Sequence, residues 1–284
     1  MSVRETEART GTIKAVPVRH PGRWVAAVAV AVLAAMLINN LVTNEAYNWP
    51  EQLKYLFSPP VLQGVRNTIW LTVAAMAGGI ALGIVLALMR LSANPLLRGA
   101  AWIYIWVFRG TPLLTQLLIW GNIGALFPTI GLGIPFGPQF VSAEANMLYS
   151  AAAAAALGLI FNEAAYMAEI VRGGIQSVDS GQQEAASALG LTKAQTLRRI
   201  ILPQAMRVIA PPTGNEAISM LKNTSLVMAV PYFELTFAVQ NIYAHTYQII
   251  PMLIMACIWY LFLSSLMMIG QHYLERYYGK GHAR

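Results

Sequence analysis

The chain has 284 residues, of which 57% are hydrophobic and only 11% are Asp, Glu, Lys or Arg, against about 25% charged residues in ordinary soluble domains. With a mean hydropathy of +0.53 there are too few charges to cover a water-soluble surface, so a bilayer is the expected solvent. The net charge of +7 does not call for nucleic acid, because the basic residues stand beside apolar runs and read as topology signals.

Residues 1–23 carry Arg4, Arg9, Lys14, Arg19 and Arg23 and read as a polar, basic N-terminal tail. The apolar run from Trp24 to Val42 is too long for a signal-peptide core and has no convincing cleavage site, so a retained helix over 24–43 is expected. A spanning helix needs about 20 mostly apolar residues. Five further runs qualify: Val65–Met89, Ala100–Phe127, Asn146–Ile170, Pro212–Val230 and Ile250–His272. The third expected span is interrupted by Arg109-Gly110-Thr111-Pro112, and the fifth is polar for a span. In the second, Ala75, Gly79, Gly83 and Ala87 repeat at spacing four. Small residues on one face let helix backbones approach closely, and that packing role is favoured over a ligand path. Cys257 has no second cysteine to pair with and reads as a buried, unreactive thiol.

Orientation follows from Lys and Arg in the short connections. With the N-terminus in the cytoplasm, the outward loops 43–64, 128–145 and 231–249 contain only Lys54. The inward segments hold Arg90, Arg98, Arg172, Lys193, Arg198, Arg199, Arg207, Arg276, Lys280 and Arg284 besides the tail residues. That asymmetry requires an even number of spans, and six fits, with both termini cytoplasmic.

One inward connection, 173–211, is neither apolar nor low in complexity. A short Ala-rich helix is expected over Gln182–Leu189, with Glu184 near its positive end and Gly190 closing it. Thr192 suits the N-cap of a second helix running to Ile201, after which Pro203 and Pro211-Pro212 are expected to punctuate the chain. A protein without a soluble domain has little reason to order such a hairpin unless it docks a cytoplasmic partner.

Glu184-Ala185-Ala186, Gly190, Ile200 and Leu202-Pro203 fill every named position of the EAA loop of ABC importer permeases. Four other stretches resemble the polar amino acid branch of that family, the histidine, glutamine and arginine type. They are Gly64-Val65-Arg66-Asn67-Thr68, Phe108-Arg109-Gly110-Thr111-Pro112-Leu113-Leu114, the run Ala164–Gly174, and Leu221-Lys222-Asn223-Thr224-Ser225-Leu226. The resemblance implies an all-α integral membrane protein. It would be a six-helix bundle, with a type I importer core of five helices over 60–278, an extra helix over 24–43, a coupling helix–turn–helix over about 174–203, and a C-terminal tail over 279–284. It also implies partners: two copies of an ATP-binding subunit, a second permease of the same or a related chain, and an extracytoplasmic solute-binding protein. It implies as well membrane lipid around the spans and a place in the bacterial inner membrane. The coupling set is then Glu184, Ala185, Ala186, Leu189, Gly190, Leu191, Ile200, Leu202 and Pro203.

Charges at membrane depth usually face a bundle interior or a water-filled path. Glu163, Asn215, Glu216, Lys222 and Thr224 are the candidates to line the path. Glu163 suits either an amino-acid substrate or a pairing with Lys222. Arg109 reads as an anchor at a bent elbow, and Glu169 with Arg172 as a local ion pair. No cofactor, metal site or catalytic residue is expected. The four histidines are scattered, and HExxH, GxSxG and phosphate-loop motifs are absent. ATP hydrolysis is therefore assigned to a separate subunit. The alternative reading is a secondary transporter of a small polar solute driven by an ion gradient, which would call for repeated halves that the sequence does not display convincingly.

Overall fold

The computed structural model describes residues 21–134, 137–144 and 149–279. Residues 1–20 and 280–284, which hold most of both expected tails, and Asn146 at the start of the fourth expected span lie outside the described residues. The chain divides into two compact units, residues 1–47 and 48–284.

In the first unit, α1 (Pro21–Thr43) is a 23-residue helix, about 35 Å long at the usual rise. Its side chains are exposed almost throughout and apolar on every side, the surface a helix presents to hydrocarbon. Thr43 donates to the Asn39 carbonyl at 2.8 Å, and a 3-10 turn follows at Glu45–Tyr47.

The second unit runs α2 (Trp49–Leu56), α3 (Pro59–Leu91), α4 (Pro95–Gly110), α5 (Leu113–Gly121), α6 (Ile123–Leu126), β1 (Thr129–Gly133), β2 (Gln139–Glu144) and α7 (Ala151–Gln176). It continues through α8 (Ser180–Ala188), α9 (Lys193–Thr196), a π-helical segment at Leu197–Ile201 and α10 (Leu202–Asn223). A 3-10 segment at Thr224–Ala229, α11 (Leu235–Thr246) and α12 (Ile249–Tyr278) complete it. Proline opens α2, α3 and α4, where its missing N–H costs nothing. Asn94 caps α4 by accepting from the Leu96 amide at 2.9 Å, and Ser150 caps α7.

The core is built on α3 against α7. A Cβ placed on Gly79 would fall 2.5 Å from Cγ of Glu163, and one on Gly83 2.6 Å from Cβ of Met167. Contacts therefore advance together along both helices, which run parallel, so the small-residue stripe serves close packing. Parallel spans require the chain between them to recross, and α4 and α5 do this as two short helices. Leu71, Leu117, Leu159 and Met220 fill one buried cluster. Val61, Leu235, Met252 and Met255 fill another beneath α11 and α12. In a bilayer such contacts hold helices by packing, since lipid tails are as apolar as the core.

Among the described residues, four helices are long and apolar enough to cross a membrane: α1, α3, α7 and α12. The third expected span is instead broken between α4 and α5 at Thr111-Pro112, where the proline removes an amide. In the fifth, the expected stop at Ile201 does not occur. Helix continues from Lys193 through Pro203, Pro211 and Pro212 to Ala229. The widened π turn, marked by the Leu202 amide bonding the Leu197 carbonyl, leaves a neighbouring carbonyl without an amide just where Pro203 has none to give. Around Pro211, α12 lends a donor: Gln271 Nε2 reaches the Pro211 carbonyl at 2.8 Å. Helices α2 and α11 and the β1–β2 hairpin fill segments expected to be loops. Cys257 is exposed on α12 rather than buried.

Candidate functional site

Two places in the second unit carry function-bearing geometry. The first is the hairpin of α8 and α9. Asp179 caps α8 by accepting from the Gly181 amide at 2.8 Å. At the other end Gly190 has φ +73°. Its amide bonds the Ser187 carbonyl at 3.0 Å, and the Leu191 amide bonds the Ala186 carbonyl at 3.1 Å, the paired bonds of a Schellman motif. Thr192 then closes a capping box. Its own amide donates to Gln195 Oε1 at 2.9 Å, and its hydroxyl accepts from the Gln195 amide at 3.3 Å. The turn is thus fixed by local chemistry on both sides of one left-handed glycine.

The exposed surface of the hairpin is specific. Glu184, Ala185, Gly190, Leu202 and Pro203 are exposed, and Leu191 and Ile200 are half-buried. Leu189 stands 79% exposed at the tip. Ala186 differs from expectation: it is 1% exposed and packs within its own chain. Ala186 therefore holds the hairpin to its base, and the face free for contact is that of Glu184, Ala185 and Leu189.

The second place is a cavity of about 290 Å³ beside the α4–α5 break. Its walls include Thr111, Pro112, Glu163, Tyr166, Glu216 and Asn223. Glu163 is 2% exposed, and its Oε1 is buried without a hydrogen bond. Of the five expected path residues, the structure brings Glu163 and Glu216 to one cavity. Asn215 and Lys222 are exposed and do not line it. Thr224 is fully buried and donates to the Leu221 carbonyl at 2.6 Å. No Glu163–Lys222 ion pair forms. The expected Glu169–Arg172 pair does form, with Nε to Oε2 at 3.1 Å.

Sequence reasoning missed what holds the break open. Gln116 Nε2 donates to the Phe108 carbonyl at 2.9 Å and to Thr111 Oγ1 at 2.8 Å. Asn162 Nδ2 donates to Gln116 Oε1 at 3.0 Å and to the Phe108 carbonyl at 3.3 Å. Irregular backbone at membrane depth needs such donors. The signal was Asn162, which stands with Glu163 as a polar pair after the apolar run 151–161. Its partner Gln116 had no marker of its own.

Comparison with known proteins decides what these features serve. Residues 79–280 match the family described as the binding-protein-dependent transport system inner membrane component. The chain belongs to that family. The permease is 49% identical to the arginine transport system permease protein ArgU of Corynebacterium glutamicum, over 98% of this chain and 86% of that one. It is 35% identical to the L-cystine transport system permease protein TcyB of Bacillus subtilis, over 85% of this chain and 97% of that one. Among solved structures, a crystal structure of an amino acid ABC transporter with histidines aligns with TM-score 0.67 and 35% identity, covering 80% of this chain and 96% of that one. The permease is therefore a membrane-embedded translocation subunit of an ABC importer, working with an ATP-binding subunit and a solute-binding protein. It is not itself an enzyme, and the ion-gradient alternative is not favoured.

Proposed function

We propose that the permease imports polar amino acids and that its cavity receives the positively charged part of a cationic one, of which arginine is the type. The observation that carries this reading is the pair Glu163 and Glu216 on one cavity wall, with Glu163 Oε1 buried and unpartnered. A buried carboxylate without a partner is unfavourable by itself and gains when a guanidinium or ammonium arrives. The arginine and cystine permeases among the relatives support the amino-acid class.

In this reading the hairpin of α8 and α9 docks one ATP-binding subunit, and a second permease of the same or a related chain docks the other. ATP binding closes the motor pair and draws the two hairpins together. The spans then open toward the solute-binding protein outside. The N-terminus lies in the cytoplasm, α1 is an additional anchor over 24–43, and the importer core spans 60–278. Asn215, Lys222 and Thr224 fall outside the solute cavity, and Asn223 takes a place in it.

Uptake of labelled arginine by the reconstituted importer tests the carboxylate role. Loss of one charge-assisted hydrogen bond in Glu163→Gln should weaken the apparent affinity about 10- to 100-fold. Uptake of arginine with unchanged KM and kcat in Glu163→Gln and in Glu216→Gln would remove both residues from the path.

A further inference from the structure

A second polar cavity, of about 470 Å³, lies on the other side of Tyr166 and belongs to a different chemistry. Its lining includes Arg90, Trp102, Trp106, Arg109, Tyr166 and Glu169. Arg90 is in the last turn of α3 and Arg109 in the last turn of α4. The two helices are joined by the turn at 92–94 and run back along each other. Helical side chains lean toward their own N-terminus. The two arginines, on opposite ends of an antiparallel pair, therefore lean toward one another along the pair, and both line this one cavity.

The charge in that space is not balanced. Glu169 is the only carboxylate of the lining, and Arg172 already holds it at 3.1 and 3.2 Å. Arg90 and Arg109 both lie within electrostatic reach of Glu169, yet neither makes a salt bridge to it. The Arg90 Nε is buried and without a hydrogen-bond partner. Arg109 has an aromatic face instead, 5.3 Å from the Tyr166 ring centre. Arg109 also lies within electrostatic reach of Glu216, but neither arginine makes a salt bridge, so both guanidinium groups can still take an anion.

The same cavity opens beside apolar surface. Trp102 and Trp106 stack one turn apart, with ring centres 6.1 Å apart and planes 7° from parallel. They are 52% and 64% exposed, on the face of α4 turned away from the core. Paired indoles next to guanidinium groups at a helix end match the two sides of a headgroup, polar phosphate and first methylenes.

We propose that this cavity is a binding site for an anionic phospholipid, with the phosphate between Arg90 and Arg109 and the acyl chains along Trp102 and Trp106. Basic pockets between membrane helices recognise such headgroups through the phosphate charge and a guanidinium fork. The site does not depend on which solute the importer carries.

Native mass spectrometry of the assembled importer, permease with its ATP-binding subunit, tests this. Phosphatidylglycerol and phosphatidylcholine of identical acyl chains are added separately, and inorganic phosphate is added as competitor. Phosphatidylglycerol should be retained in preference to phosphatidylcholine, and the double variant Arg90→Gln with Arg109→Gln should lose about 30-fold of that retention. Arg90→Lys with Arg109→Lys, which keeps the charges, should keep most of it. Should the glutamine variant fail to assemble, Trp102→Ala with Trp106→Ala carries the test, with reduced retention expected. Equal retention of the two lipids would overturn the site, as would unaltered retention in the arginine or tryptophan variants. Displacement of the lipid by millimolar phosphate would reassign it to a free anion. A disulfide between Trp102→Cys and the second permease would overturn it in favour of a protein contact.

Discussion

At the residue scale, two side chains shape the cavity proposed for solute, Asn162 in its wall and Gln116 behind it. Asn162 and Gln116 satisfy the carbonyls freed where α4 ends and α5 begins, and the cavity exists because that break is held open. Asn162→Leu should lower the Tm of the purified importer, since it takes the donor from the buried Gln116 Oε1, and a buried unsatisfied acceptor costs about 1–3 kcal/mol. An unchanged Tm would show that water or another donor does this work. Gly79 matters for a different reason. Its missing side chain leaves room for the Glu163 stem, with 2.5 Å to Cγ. Gly79→Ala forces α7 away from α3 and moves the carboxylate. Arginine uptake should fall while the protein still reaches the membrane, and wild-type uptake would contradict the placement. Gly79 was legible in the sequence as packing, because spacing four on an apolar helix has few other uses. Its contact with Glu163 was not, since that depends on the register of α3 against α7.

At the scale of elements, the hairpin of α8 and α9 was the most legible part of the chain. Gly190 and Thr192 are local signals that need no tertiary knowledge, and the Schellman bonds and capping box follow from them. The run beyond Thr196 was not legible. Three prolines predict breaks, yet a π turn meets Pro203 and the helix runs on through Pro211-Pro212, where the Gln271 side chain from α12 donates to the Pro211 carbonyl. Both compensations lie outside the local window. Helix α11 was missed for a similar reason. Its buried cap Glu234 accepts from the Phe237 and Thr236 amides at 2.7 and 2.8 Å, but sits in a stretch that reads as an outward loop. The continuity from α9 to Ala229 has a mechanical meaning. In the proposed mechanism a hairpin attached to one unbroken helix would transmit displacement to the wall carrying Glu216. The stiffness depends on the turn. Gly190→Val places a β-branched residue at φ +73°, a strain of about 1–2 kcal/mol. There is open space around that glycine, so the loss should appear in coupling rather than in folding. ATP hydrolysis stimulated by solute should drop while the chain stays in the membrane. Full stimulation would show that the turn geometry is not transmitted.

At the scale of the whole molecule, the membrane class follows from composition, and the importer family from one hairpin motif joined to the similarity over 79–280. The distribution of polar groups adds the rest. Acidic groups line the cavity at the α4–α5 break, while free guanidinium groups line the one beyond Tyr166. A bilayer protein has few charges to place, and on the two proposals made above this sorting divides solute from lipid. In the proposed mechanism motion enters from the hairpin, whose exposed tip is a leucine in a segment otherwise rich in polar and small residues. The most direct test of that central claim is site-directed crosslinking from Leu189→Cys in the assembled importer. The account predicts a product with the ATP-binding subunit whose yield changes when ATP is bound. No product with that subunit, or a product with the solute-binding protein instead, would contradict it.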